Sequence, residues 1–311
     1  MARDREVLAA LLGGLGPWGG LRATSGHPAP LPRGSIAAGD DAAVLPASML
    51  RDGSIVLACD GLEEDVHFRE GWFSLEDLAW KALAVSLSDL AAMAAEPVAF
   101  LLALSWPEHR RIEEARKLGT ALATTARRFE CPLVGGDVDV TNGPLRLSVT
   151  TLGSCRTPLL RSGGQAGDRL FVTGPLGGAA FAVSALLAGA ALDDQHEPGA
   201  SALRALRRPM PRLDVARALQ GRAHAAIDLS DGLLDDTRHL ASASGLAAFV
   251  HLPSIPRHPA VTPSRARELA LEGGEDYELL LAGPPDLGRL PSLTEVGALL
   301  EGDPGHVDVR T

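Results

Sequence analysis

Ser74-Leu-Glu-Asp77, running on through Leu78-Ala-Trp-Lys-Ala82-Leu-Ala-Val85-Ser-Leu-Ser-Asp89-Leu-Ala-Ala-Met93, is the segment around which the rest of the chain falls into order. A serine followed three residues later by an acid, just before an apolar run, is a capping box. It predicts a helix from Ser74 to about Ala95, ahead of Glu96-Pro97. Leu78, Ala82, Val85, Asp89 and Met93 fall on one stripe at helical spacing. An aspartate on that packed stripe costs several kcal/mol unless something positive meets it.

Working outward, Ser54 to Cys59 reads as a short strand ending at Asp60, and Val98 to Leu104 as a second. Glu108 to Phe129 predicts a helix. Pro132 to Val134 is a brief strand stopping at Gly135-Gly136-Asp137, and Leu145 to Leu152 another strand. Arg156 to Asp168, with Pro158, Gly163, Gly164 and Gly167, reads as a linker. Beyond it come a strand (Arg169 to Thr173), a glycine turn (Gly174 to Gly178), a helix (Ala179 to Leu192) and a polar stretch (Asp193 to Pro211). Then follow a strand (Ala223 to Ile227), a helix (Leu233 to Ser244) stopped by Gly245, and a strand (Tyr277 to Ala282). Strands and helices mix without strict alternation, so the expected class is α+β. The expected domains are 1–155 and 156–311.

The bulk numbers narrow the function. The chain has 311 residues, 46% hydrophobic, with 29 basic and 39 acidic residues and a net charge of −10. That balance argues against a nucleic-acid partner, which needs a basic footprint. The longest uncharged apolar stretch, Leu176 to Leu192, is shorter than the roughly 20 residues of a membrane span and reads as a buried helix. Cys59, Cys131 and Cys155 have neither zinc spacing nor a disulfide framework, which fits a reducing cytoplasm.

An apolar strand followed by aspartate recurs: Gly39-Asp40-Asp41, Cys59-Asp60, Gly136-Asp137 and Ile227-Asp228-Leu-Ser230-Asp231. Any one of these has a plain structural reading as a turn former or helix cap, and Asp231 in particular as the cap of the helix after Gly232. Together with Asp89, and with few basic residues nearby in sequence, they point to a hard cation, magnesium before zinc. Carboxylates meeting several metal ions suit transfer between polyphosphates. No G-x-x-x-x-G-K-[ST] occurs, and Gly14-Leu-Gly16-Pro-Trp-Gly19 follows a helix, so it is read as a chance dinucleotide match. Thr173-Gly-Pro-Leu-Gly-Gly178 lies between strand and helix, and reads either as an anion cradle or as a tight turn.

Six stretches carry a resemblance: Gly39 to Leu45, Lys81 to Met93, Gly135 to Asp137, Arg161 to Asp168, Ile227 to Leu233, and Gly273-Gly-Glu-Asp-Tyr-Glu-Leu279. In this order they resemble the thiamine-monophosphate kinase family, and the last is the stretch that separates it from its relatives. The resemblance implies an aminoimidazole-ribonucleotide synthetase-like fold of two α/β domains, the N-terminal one binding ATP and metal and pairing its sheet across a homodimer. It implies ATP and thiamine monophosphate as substrates, several Mg²⁺ ions, and direct transfer without a phosphoenzyme. Asp40, Asp60, Asp89, Asp137, Asp228 and Asp231 match its magnesium ligands, with Asp60, Asp137 and Asp231 expected to carry catalysis. Gly136, Arg161 and Ser230 match ATP contacts, and His67 and Glu275 match substrate contacts. The acids are thus expected to serve one shared metal site drawn from both halves of the chain.

The chain departs from the family in three places. Ala58 and Cys59 replace hydroxyl residues before Asp60, and since a thiol is a poor magnesium ligand, Cys59 is counted as a metal ligand through its backbone carbonyl. Val138-Asp-Val-Thr-Asn142 lacks the family's arginine, and the C-terminus offers His306 where the family often has an aromatic residue. The alternatives are a non-catalytic nucleotide-binding homologue, a magnesium phosphohydrolase, or another ATP-using member of the superfamily. Selenophosphate synthetase wants an N-terminal reactive cysteine and the hydrogenase-maturation member a C-terminal one; this chain ends in Arg310-Thr311.

Overall fold

The structure is a computed structural model that describes residues 2–15, 45, 48, 53–219, 221–290 and 292–311. It divides into two compact units: the residues up to Leu90 together with Glu96–Arg156, and Thr157–Thr311 together with Ala91–Ala95.

The first unit carries α1 (Ala2–Leu15), β1 (Ser54–Glu63), α2 (Leu75–Ala92), β2 (Glu96–Pro107), α3 (Ile112–Arg128), β3 (Leu133–Thr141) and β4 (Arg146–Cys155). The capping box forms: Ser74 Oγ accepts the Asp77 N–H at 3.1 Å and Asp77 Oδ2 accepts the Ser74 N–H at 3.1 Å. The sheet order is β1-β4-β2-β3, with only the β2–β3 pair parallel. One face, with Leu102, Leu104, Leu147 and Val149, is buried. The outer face keeps Ile55, Leu57 and Leu101 exposed. Gly14 and Gly119 let α1 and α3 approach closely, since a Cβ on either would stand 2.2 or 2.1 Å from a carbonyl of the other helix. Gly14 of the G-x-G-x-x-G match is therefore a packing glycine; the match from Gly16 to Gly19, and Gly39-Asp40-Asp41, lie outside the described residues.

The second unit carries β5 (Arg169–Val172), α4 (Gly178–Leu187), α5 (Gly199–Arg207), α6 (Leu213–Leu219), β6 (Ala225–Asp228), α7 (Leu233–Ala243), β7 (Ala247–His251), β8 (Leu279–Gly283), β9 (Thr294–Leu300) and β10 (Val307–Arg310). Its six-stranded sheet has the order β10-β7-β9-β5-β8-β6. Alternation along β5 sorts the core: Leu170 and Val172 pack with Leu233 and Leu240 of α7, whereas Phe171 packs with Val215 and Leu219 of α6. The α+β reading holds.

Several expectations need correction. Asp60 and Asp137 stand inside strands and not at their ends. β1 continues past Asp60 because it keeps pairing with β4 as far as Glu63↔Arg146, and β3 continues along β2 as far as Thr141↔Pro107. The polar stretch 193–211 holds α5, whose Ala202, Leu203 and Leu206 are buried beneath a charged face. The apolar stretch to Leu192 is helical only to Leu187, which is exposed. Among the described residues no helix is long and apolar enough to cross a membrane.

Candidate active site

In the first unit the sheet brings Asp60 to α2. Asp60 lies on the half-buried side of β1, opposite Val149 of β4. Burial pushes its carboxyl above the ordinary range, and the neighbouring Asp89 carboxyl, the Ser86 hydroxyl and the His67 ring pull the other way. Ser86 is held by Thr151 through a 3.1 Å hydroxyl contact. Asp60 Oδ2 is buried without a hydrogen-bond partner. Asp89 is half-buried on α2, and the Asp60 carboxyl is one of its neighbours.

His67 sits in the turn after β1, where its Nδ1 accepts the Glu63 N–H at 3.1 Å. The neutral ring therefore carries its proton on Nε2. Cys59 is exposed, and its Sγ accepts the Thr150 hydroxyl at 3.3 Å. Asp137 is exposed on edge strand β3, beside Gly136. A Cβ at Gly136 would stand 1.9 Å from the Leu102 carbonyl, so only glycine fits the ladder there.

In the second unit Asp228 ends β6 and is buried, while Asp231 is exposed. Asp231 is not the helix cap: Gly232 holds the N-cap position of α7, and buried Asp236 closes the turn instead. Its Oδ2 accepts the N–H groups of Asp231 and Gly232, both at 3.1 Å. Burial, with the charges of Asp231 and Asp228, pushes the Asp236 carboxyl up to about 7. Sequence reasoning missed Asp236; its only signal was the Asp235-Asp236 pair in the first turn of α7.

The Gly273–Leu279 loop fastens onto this segment. Glu275 N–H donates to the Ser230 carbonyl and Tyr277 N–H to the Leu229 carbonyl, both at 2.8 Å. A Cβ at Gly274 would stand 2.5 Å from the Ser230 carbonyl. Arg161 is exposed in a short 3-10 turn, and its carbonyl accepts the Ser244 hydroxyl at 2.8 Å.

The anion-cradle reading of Thr173–Gly178 fails. The Gly177 N–H donates to both oxygens of Asp276 at 2.9 Å, so a carboxyl group of this chain already occupies the start of α4. Among the described residues no group of three or more His, Cys, Asp or Glu side chains is arranged to hold a metal ion by itself.

Removing the Asp236 oxygen orphans two backbone donors in a buried turn. Asp236→Ala is expected to lower unfolding free energy by about 2 kcal/mol in denaturant titrations of metal-free protein. Asp236→Asn keeps an acceptor and is expected to lose less than half of that.

Comparison with known proteins follows the same two parts. AIR synthase related protein, N-terminal domain, matches residues 39–155, and AIR synthase related protein, C-terminal domain, matches residues 165–286. The thiamine-monophosphate kinase of Rhodopirellula baltica is 34% identical over 280 residues, 86% of this chain and 82% of that one. The crystal structure of thiamine-monophosphate kinase from Stenotrophomonas maltophilia K279a superposes with a TM-score of 0.79 at 34% identity, covering 99% and 96% of the two chains. AaThiL complexed with AMPPCP and TMP superposes at 0.74 with 29% identity, covering 82% and 83%. With its signature loop seated on the Ile227–Asp231 segment and relatives of this likeness along most of its length, the chain belongs to the thiamine-monophosphate kinase family of AIR synthase related proteins.

Proposed function

We propose that this chain transfers the terminal phosphoryl group of ATP directly to the phosphate of thiamine monophosphate, yielding ADP and thiamine diphosphate. The observation that carries the reading is the interlock of Ile227–Gly232 with Gly273–Leu279, in a chain 34% identical to a named thiamine-monophosphate kinase. The AaThiL complex with AMPPCP and TMP supports both ligands.

The acceptor oxygen belongs to a phosphate and is already ionised at neutral pH, so no general base is needed. The barrier is repulsion between two anions, which positive charge and positioning relieve. Magnesium fits the residues present, because the donors are oxygens and Asp60 Oδ2 is buried with no partner. Asp60, Asp89 and Asp137 in the first unit, Asp228 and Asp231 in the second, and Asp40 outside the described residues would hold it, with Cys59 offering only its carbonyl. Bound there, magnesium supplies charge neutralisation at the phosphate oxygens.

The remaining roles belong to the chain itself. Gly136, beside Asp137, would contact ATP through its backbone. Arg161 is exposed with no ion pair among the described residues, and its fork suits phosphate oxygens. Ser230 adds a hydroxyl donor for ATP. His67 presents Nε2–H towards the acceptor phosphate. Glu275 offers a carboxylate to the cationic thiazolium and the pyrimidine amino group. Three free cysteines, one of them exposed, suit a reducing cytoplasm.

We further propose a homodimer through the outer face of the four-stranded sheet. Register sets Cys59, Thr150 and Leu101 in one row, so Leu57 and Leu101 share a face, and their exposures of 66% and 42% are high for leucine.

Two experiments test these readings. Purified protein with ATP, Mg²⁺ and thiamine monophosphate is expected to form thiamine diphosphate, and Asp60→Asn to lower kcat by about two orders of magnitude or more. Tight ATP binding without product from any thiamine phosphate sinks the kinase reading in favour of a binding protein; phosphate release without acceptor favours a hydrolase. Light scattering is expected to give twice the chain mass for the wild type and the single-chain mass for Leu57→Asp. A wild-type monomer at micromolar concentration contradicts the dimer.

A further inference from the structure

The Gly273–Leu279 loop contains three acids, and two of them are tied to one turn of the second unit. Asp276 takes the Gly177 N–H on both carboxyl oxygens at 2.9 Å. Glu278 accepts the Thr173 hydroxyl at 2.5 Å and forms an ion pair with Arg212 Nε at 3.1 Å. Arg212 also donates to the Thr173 carbonyl at 2.6 Å. The turn from Thr173 to Gly178 is thus gripped at both ends by alternate residues of the loop.

The residues on either side of Asp276 carry backbone strain. Glu275 has φ 69° and Tyr277 φ 52°, left-handed values that residues with a Cβ rarely adopt. Such strain persists only where the surroundings over-determine it. The N–H groups of Glu275 and Tyr277 are bound to the Ser230 and Leu229 carbonyls on one side. On the other side the side chain between them, Asp276, is drawn to the N-terminus of α4, where helix polarity favours a carboxylate. Burial, with the charges of Glu278 and Glu275, pushes the Asp276 carboxyl well above the ordinary range, and the N–H groups of Gly177 and Gly178 bring it only part of the way back. A cap needed only for helix stability has no cause to sit between two strained residues.

We propose that Asp276 is a positioning residue for the acceptor: by clamping the loop to the start of α4 it holds Glu275 in the left-handed conformation that presents its carboxylate. The inference rests on the kinase reading and on Glu275 as a substrate contact. It assigns Asp276 no contact with either substrate.

The test combines kinetics with a probe of the loop. Tyr277 is the chain's only tyrosine, so 3-fluorotyrosine labelling yields a single ¹⁹F signal beside Asp276. Asp276→Ala is expected to raise KM for thiamine monophosphate about tenfold or more, leave KM for ATP within about twofold, and shift or broaden the Tyr277 signal. Asp276→Asn, whose amide oxygen still accepts the Gly177 N–H, is expected to fall between. Folded Asp276→Ala with wild-type acceptor KM, or with both KM values raised alike, overturns the proposal. If Asp276→Ala does not fold, Asp276→Asn decides: an acceptor KM raised about threefold or more with a moved signal supports it, and unchanged values overturn it. Glu275→Gln separates the layers. If it raises the acceptor KM and the Asp276 variants do not, only the positioning role falls. If neither does, the Glu275 assignment falls and takes the inference with it. If the wild type makes no thiamine diphosphate, the kinase reading falls with both.

Discussion

Carboxyls held against carboxyls are the constraint on which both units depend. Asp60 meets Asp89, Asp236 feels Asp231 and Asp228, and Asp276 lies between Glu275 and Glu278. In a chain of net charge −10 this crowding is unfavourable unless protons, donors or cations answer it. The answer differs from site to site. Asp236 and Asp276 are answered by backbone N–H groups at the starts of α7 and α4. Asp60 keeps a buried oxygen that no group of the described residues satisfies.

The same logic explains where the glycines fall. Gly136 and Gly274 stand where a Cβ would collide with a carbonyl of the neighbouring segment. They bring backbone to backbone, and the acids beside them inherit fixed positions. Part of the signature Gly-Gly-Glu-Asp-Tyr-Glu-Leu is a fastening that binds 229–231 on one side and 173–178 on the other.

Much of this was legible in the sequence because the local signals are strong. The Ser74–Asp77 box placed α2, and the stripe through Asp89 placed an acid on its packed side. The strand-end reading of Asp60 and Asp137 went astray because ladder pairing with β4 and β2 carries both strands past the aspartates, and pairing partners are invisible in a single strand. β9 was missed because Gly297 weakens its pattern; in the sheet that glycine is required, since a Cβ would stand 2.0 Å from the Phe249 carbonyl. α5 hid in a polar stretch whose buried side is only three residues deep. The Thr173–Gly178 stretch read equally as an anion cradle or a tight turn, and only the fold shows that Asp276, about a hundred residues later in sequence, already sits at Gly177.

The central claim is that Asp60 and Asp89 are held together in order to take a hard cation. Mn²⁺ titration followed by electron paramagnetic resonance, in the presence of a non-hydrolysable ATP analogue, tests it most directly. The account predicts more than one tightly held ion per wild-type chain and at least one fewer in Asp60→Asn. The same number of ions, held equally tightly, in both proteins would contradict it.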